Sequence, residues 1–451
     1  MATIINSSED AHLDLATMAV PESARSGRSS LTMAWWGVCS ALFYIFLAAT
    51  LATAFGTQNT IIGMILSVIS YGLINSILAR YAIRTGLSVS LFSRILFGRV
   101  GALLATLIFF STAIYYAVFE GSVIAVAANK VIPNLSYEWA CVLVVVYSVP
   151  LVFGSVQNWL DKLNGFLLPF YLVGLTLAVA LTISTYGYSN AWLHFEPANG
   201  APAHGWVSAF LAYMGVWVLM MFTFDFARFG SKKDANYHAK FNFGMPFYVM
   251  TFLINGLVGI FLVTSGKLTS ISETGVVDQL IVVLGGTLAL LFIWVTQTRI
   301  NSANFYLATI NMQAFFEKLL GFSLKKWMWA VVVGIVVLVM MRSTNVFSYI
   351  LAALNYQGIF VTAWVGVALT HILSKRYDKM FDGKLEYHSN RVPRFNPCGL
   401  WAWFTGAGLG LLMTLSGFGA GYAPLVVFIT SVVVYKLMLN IAKPEWFVTN
   451  N

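Results

Sequence analysis

Ile114-Tyr115-Tyr116-Ala117-Val118-Phe119-Glu120-Gly121 lies inside an apolar run, residues 102–127, in which Glu120 is the one charged side chain. As a helix, a run of this length rises about 39 Å at ~1.5 Å per residue. The hydrocarbon core of a bilayer is only ~30 Å thick. The stretch therefore reads as a transmembrane helix. A carboxyl at such depth costs enough free energy to be a functional candidate by default.

Working outward, comparable runs lie near 31–55, 58–79, 138–156, 164–184, 206–224, 243–265, 279–308, 327–342, 345–373, 399–417 and 421–441. The pattern predicts an all-α polytopic membrane protein of about twelve transmembrane helices. Composition agrees, because 59% of the 451 residues are hydrophobic and 10% are charged, against roughly 25% charged in a soluble domain. The net charge of +9 does not mark a nucleic-acid partner, since its basic residues cluster between apolar runs. With the N-terminus inside, the cytoplasmic segments collect most of them, among them Arg80, Arg84, Arg94, Arg99, Lys232, Lys233, Lys375 and Arg376. The opposite side keeps Lys130, Lys267 and Arg342. That bias follows the positive-inside rule and places both termini in the cytoplasm.

Cys39, Cys141 and Cys398 are isolated, and the six histidines are scattered. Neither a disulfide framework, a metal site nor a cofactor is expected. Residues 1–30 are polar and read as a cytoplasmic tail rather than a signal peptide. The other long polar stretches, 186–205 and 374–397, are too short to fold separate domains. Function must reside in the membrane bundle.

Within the bundle a second ionisable group stands out. Arg299 lies in Thr296-Gln297-Thr298-Arg299-Ile300-Asn301-Ser302-Ala303-Asn304. A central arginine costs about 2.5–3.5 kcal/mol even on the lenient insertion scale. Gln297, Asn301 and Asn304 recur at spacings that place them on one helical face. Such a stripe can glue helices together; beside a charge it reads as the lining of a cavity. The plain alternatives are an interfacial position for Glu120 and snorkelling to the headgroups for Arg299. Gly37, followed by Val38-Cys39-Ser40, interrupts the first span, and Gly215 interrupts the sixth. Breaks in corresponding spans of two halves point to discontinuous helices around a midplane site. An intramembrane enzyme would need a metal cluster, a Ser-Lys pair or paired aspartates at depth. A channel would show filter motifs or charge rings. Both patterns are absent from the sequence.

Four ordered landmarks carry a resemblance: Val20-Pro21-Glu22-Ser23-Ala24-Arg25; Arg84-Thr85-Gly86-Leu87 leading to Arg94-Ile95-Leu96-Phe97-Gly98; Asp225-Phe226-Ala227-Arg228-Phe229-Gly230; and Asn301 through Tyr306. Together they are similar to those of the nucleobase:cation symport family, the purine–cytosine permeases and the bacterial hydantoin transporter. The likeness covers residues 20 to about 310. It implies a five-plus-five inverted-repeat, LeuT-like core over 31–373, with halves near 31–184 and 206–373. Residues 374–451 would add two helices and a short tail. It further implies a permease in the cytoplasmic membrane, monomeric, importing a nucleobase-like or other small nitrogen heterocycle by alternating access.

The resemblance also assigns roles. Tyr116 falls where a stacking tryptophan is usual, Glu120 where a ring-binding glutamine stands, and Trp217 near the other stacking aromatic. Ser40, Ala41 and Leu42 would face the ligand, with Asn301 and Gln357 completing the site. Thr296, Arg299 and Ile300 take the positions where sodium-coupled members place hydroxyl or amide ligands. A guanidinium and an aliphatic side chain cannot coordinate sodium. The expected carrier is therefore sodium-independent, driven by protons or by exchange. The alternatives are a sodium-coupled symporter of the same family and a carrier of a small cationic or amine nutrient. Span ten departs from the family pattern, with Asn355-Tyr356-Gln357-Gly358 where cytosine permease has a proline pair.

Overall fold

A computed structural model describes residues 18–152, 156–266, 274–321, 324–343 and 350–449, with backbone alone for 156–167 and 350–351. Residues 1–17 of the expected tail, and Lys267, lie outside the described residues. The described residues are helical, apart from connecting segments and one parallel bridge between Ser26 and Gly230.

Among the described residues nine helices are long and apolar enough to cross a membrane: Arg28–Phe55, Thr57–Thr85, Val89–Val131, Leu168–Tyr186, Lys232–Ser265, Lys326–Ser343, Ala352–Ser374, Pro397–Ser416 and Ala420–Ile441. A tenth span is the bent pair Gly205–Met214 and Val218–Ala227. Tyr137–Leu151 is apolar but short, and Gly286–Leu320 is long but diluted by Gln297, Arg299, Asn301 and Asn304. With these two the described residues give twelve spans, numbered here in chain order. The protein is a multi-pass membrane protein.

One expected boundary is corrected. The single run predicted over 279–308 is two helices, Gly275–Leu284 and Gly286–Leu320, parted at Gly285 with φ 77 and ψ 154. Apolar residues continue across Gly285 without a polar signal, so hydropathy cannot see the break. A positive φ at a glycine can make it.

The first span breaks where expected. Arg28–Trp36 gives way to a 3₁₀ turn, Gly37–Ser40, then to extended backbone at Ala41 (φ −63, ψ 124), before the helix resumes at Phe43. The Ser40 hydroxyl donates to the Gly37 carbonyl at 2.8 Å, a local bond that competes with the helical ladder. The sixth span bends by 42°. Gly215, Val216 and Trp217 donate three residues back, to Ala212, Tyr213 and Met214, at 3.0–3.1 Å. The bend sits against span ten. A methyl group on Gly358 would lie 2.8 Å from the Gly215 Cα, and one on Gly215 would lie 2.6 Å from the Leu354 carbonyl.

Three of the four landmarks that carried the resemblance prove to be joints; the fourth, Asn301 through Tyr306, lies within span eight. Span three opens with residues 89–97 and kinks at Gly98 (φ 83, ψ 170). A side chain on Gly98 would strike the backbone of Phe395 and Arg394 at 2.7–2.8 Å. Both L-chirality and space require glycine there. Around the kink Arg99 donates to Pro393, Val100 to Arg394 and Asn396 to Phe97, at 2.9–3.0 Å. Arg25 donates to the carbonyls of Ile83 and Gly230. The Asp225 carboxylate accepts from the Val89 amide at 2.7 Å, at the start of span three. These ties gather the N-terminal segment, the 2–3 and 6–7 connections and the 374–397 loop at one end of the bundle.

Candidate functional site

Two breaks leave backbone groups outside the helical ladders, and in a bundle such groups must find internal partners. At the first break Leu42 donates its amide to Gln297 Oε1 of span eight at 3.4 Å. Gln297 Nε2 in turn donates to Thr296 Oγ1 at 3.1 Å. The Thr296 hydroxyl donates back into its own helix, to Phe292 at 2.7 Å. At the second break Gln357 Nε2 of span ten donates to the Gly215 carbonyl at 3.4 Å. Tyr71 of span two donates to the Tyr213 carbonyl at 2.5 Å.

Between the breaks sits an aromatic wall. Tyr116 meets Phe43 edge-on at 5.0 Å, and Trp217 meets Tyr71 edge-on at 6.4 Å and Phe428 at 5.2 Å. Tyr116 also lies beside Gln357 and within electrostatic reach of Tyr71 and Glu120. Tyr44 lies within electrostatic reach of Tyr116, Tyr248 and Glu120. Spans one, two, three, six and ten thus meet in one neighbourhood.

Glu120 is 1% exposed and packed within the protein. Its Oε2 has no hydrogen-bond partner among the described residues. Arg299 is 2% exposed and packed within the protein rather than extended toward solvent. It stands within electrostatic reach of Cys39 and Tyr171, and span eight packs on the first break. Tyr171 feels both Glu120 and Arg299. Ser40, Ala41 and Leu42 are buried at that break, and Asn301 is fully buried on span eight. Both polar atoms of the Asn301 side chain lack hydrogen-bond partners among the described residues. Tyr116, Glu120 and Trp217 are all less than 9% exposed. In this conformation the region is packed shut, and a ligand would have to enter through an opening movement.

Sequence reasoning that looked for charges passed over three residues. Tyr71 holds the second break. Asn255 donates to the Cys39 carbonyl at 2.6 Å, and Tyr171 donates to Asn255 Oδ1 at 3.0 Å. The available signal was an uncharged amide inside the apolar seventh run.

The arrangement of helices matches that of Mhp1, described as a nucleobase-cation-symport-1 family transporter. In a closed conformation with bromovinylhydantoin bound, Mhp1 superposes with a TM-score of 0.73 at 14% identity, over 95% of this chain and 96% of that one. The chain has a LeuT-like fold. Mhp1 in its inward-facing conformation gives a TM-score of 0.74 at 14% identity, over 94% and 93% of the two chains. MhsT in complex with L-phenylalanine gives 0.56 at 15% identity, over 90% and 99%. No protein-family model and no curated protein sequence matches the chain. The resemblance read from the landmarks is thus borne out by the fold, with little sequence identity behind it.

Proposed function

We propose that the protein is a secondary transporter, a permease that carries a nucleobase-like or other small nitrogen heterocycle by alternating access. The observation that supports this most is the bridge made by Gln357. It ties the break of span six at Gly215 to the neighbourhood of Tyr116, beside the buried Glu120 carboxyl. Planar aromatic faces, an amide and a carboxyl together suit a flat ring with hydrogen-bonding edges. Tyr116 and Trp217 would flank the ring, and Glu120 would accept from donor-bearing edges. Ser40, Ala41, Leu42, Asn301 and Gln357 would complete the lining.

The two five-helix halves, 31–184 and 206–373, would form the moving core, with both termini in the cytoplasm and the chain in the cytoplasmic membrane. Arg299, with Thr296, would stand in place of a coupling cation. Transport would then be driven by protons, with Glu120 as their carrier, or by exchange. The buried carboxyl also supports a second reading, a carrier of a small amine or amidine cation. A thermal-shift screen of purines, pyrimidines, hydantoins, ureides and simple amines on the purified protein separates the two, because a bound ligand raises apparent stability. Stabilisation by flat heterocycles supports the first reading, and stabilisation by aliphatic amines alone replaces it with the second.

A further inference from the structure

The seventh span carries a feature that the proposed substrate site does not use. Its helix passes through a π-helical turn, Val249–Ile254, and resumes at Asn255. Such turns shift the register of a helix by inserting an extra residue, and they recur at functional positions. Here the shift aims an amide at the first break. Asn255 is fully buried and donates through Nδ2 to the Cys39 carbonyl at 2.6 Å. Tyr171 of span five, also fully buried, donates to Asn255 Oδ1 at 3.0 Å and so fixes which way the amide points. Phe292 of span eight stacks on the Tyr171 ring at 6.0 Å with the planes 7° apart. One turn along, Gly259 packs directly on the Ile45 backbone, and Gly256 on Met64 and Ala48. Span seven thereby meets span one both at its break and along its resumed helix.

We infer that Asn255 and Tyr171 are positioning residues: a relay from span five through span seven that holds the Gly37–Ala41 break in one geometry. The inference deepens the transport reading and rests on it only for its purpose. The carbonyl of Cys39 belongs to the broken turn and has lost its place in a helical ladder. Without the amide it would be an unsatisfied acceptor in an apolar bundle, and the turn would open to find water. The hydroxyl of Tyr171 acts one step back. With it gone, the amide keeps its reach but loses the bond that orients it.

Cys39 itself reports on this turn. It is fully buried, as are Cys141 and Cys398 on spans four and eleven. The test is alkylation by N-ethylmaleimide of the purified full-length protein, mapped at each cysteine by mass spectrometry, in the wild type, Asn255→Leu, Tyr171→Phe and the double variant. Labelling of a buried thiol tracks the population of locally opened molecules, so the expected result is a rate at Cys39 raised by at least about threefold relative to Cys141 and Cys398. The double variant should match Asn255→Leu, because both changes break one relay. If Asn255→Leu fails to fold, Tyr171→Phe carries the test by the same criterion. A smaller selective rise, or an equal rise at all three cysteines, overturns the inference. No substrate is needed, so this outcome is independent of whether uptake is found.

Discussion

Gln357 donates its amide to the Gly215 carbonyl at 3.4 Å, so span ten is tied to the bend of span six by a side-chain hydrogen bond. The backbones meet just beside it, where Gly358 lies against Gly215. A methyl group at 358 would sit 2.8 Å from the Gly215 Cα, which is backbone and cannot rotate away. Gly358→Ala should therefore destabilise the protein by about 1–3 kcal/mol, the usual cost of overpacking. A lowered melting temperature in detergent is the check. An unchanged one would show that the two spans separate freely.

Tyr116→Ala and Trp217→Ala should each weaken binding of a stabilising heterocycle by roughly tenfold, equivalent to about 1.4 kcal/mol. Offset stacking on a ring contributes ~0.5–1.5 kcal/mol beyond burial, which supports a loss of that size. Titration by tryptophan fluorescence or calorimetry measures it. Wild-type affinity in both variants would remove these aromatics from the site.

Glu120→Gln should erase the preference for ligands bearing an amino-heterocycle, amidine or ammonium edge. An ionised carboxylate only accepts hydrogen bonds, whereas the amide also donates. Oxo-rich rings such as uracil should bind the variant as well as, or better than, the wild type. Competition binding with matched amino and oxo rings decides the matter. Tight binding of an oxo-only ring to the wild type, undiminished in the variant, would contradict this role.

Asn396 offers a test of the joints at the end of the bundle. Its side chain accepts from the Cys398 amide at 3.0 Å and donates to the Ile95 carbonyl at 2.9 Å, and it is fully buried. Asn396→Ala removes a helix cap and leaves a buried carbonyl without its donor. The combined loss should be about 1–3 kcal/mol. Equal thermal stability would mean that the Asn396 side chain adds nothing to the backbone bonds that fasten the 374–397 loop to span three.

Much of this architecture was legible because a bilayer imposes simple rules. Runs of apolar residues gave the spans, and Glu120 and Arg299 stood out because charge at depth is costly. Gly37 with Ser40, and Gly215, gave the two breaks. Gly285 was not legible, since a glycine flanked by apolar residues changes hydropathy little on either side. Asn255 was missed for a different reason. Its role depends on a π turn that sets its register and on a carbonyl freed more than two hundred positions earlier in the chain, and neither has a local trace. The landmarks around Arg25, Gly98 and Asp225 were read as family marks. Their physical work, closing one end of the bundle through backbone carbonyls and amides, became visible only with the fold.

On the proposed function the carrier would move its solute without sodium, with Arg299 supplying the positive charge at the first break. Arg299 is buried, within electrostatic reach of Cys39 and Tyr171. A tethered guanidinium can bridge spans eight and one through its five donors, yet it cannot dissociate. It therefore cannot couple a sodium gradient to uptake. The most direct measurement is uptake of a heterocycle found by the thermal-shift screen into proteoliposomes, with sodium replaced by choline. Undiminished uptake in the wild type, lost in Arg299→Ala, is the predicted result; a steep dependence on sodium in the wild type would contradict the account.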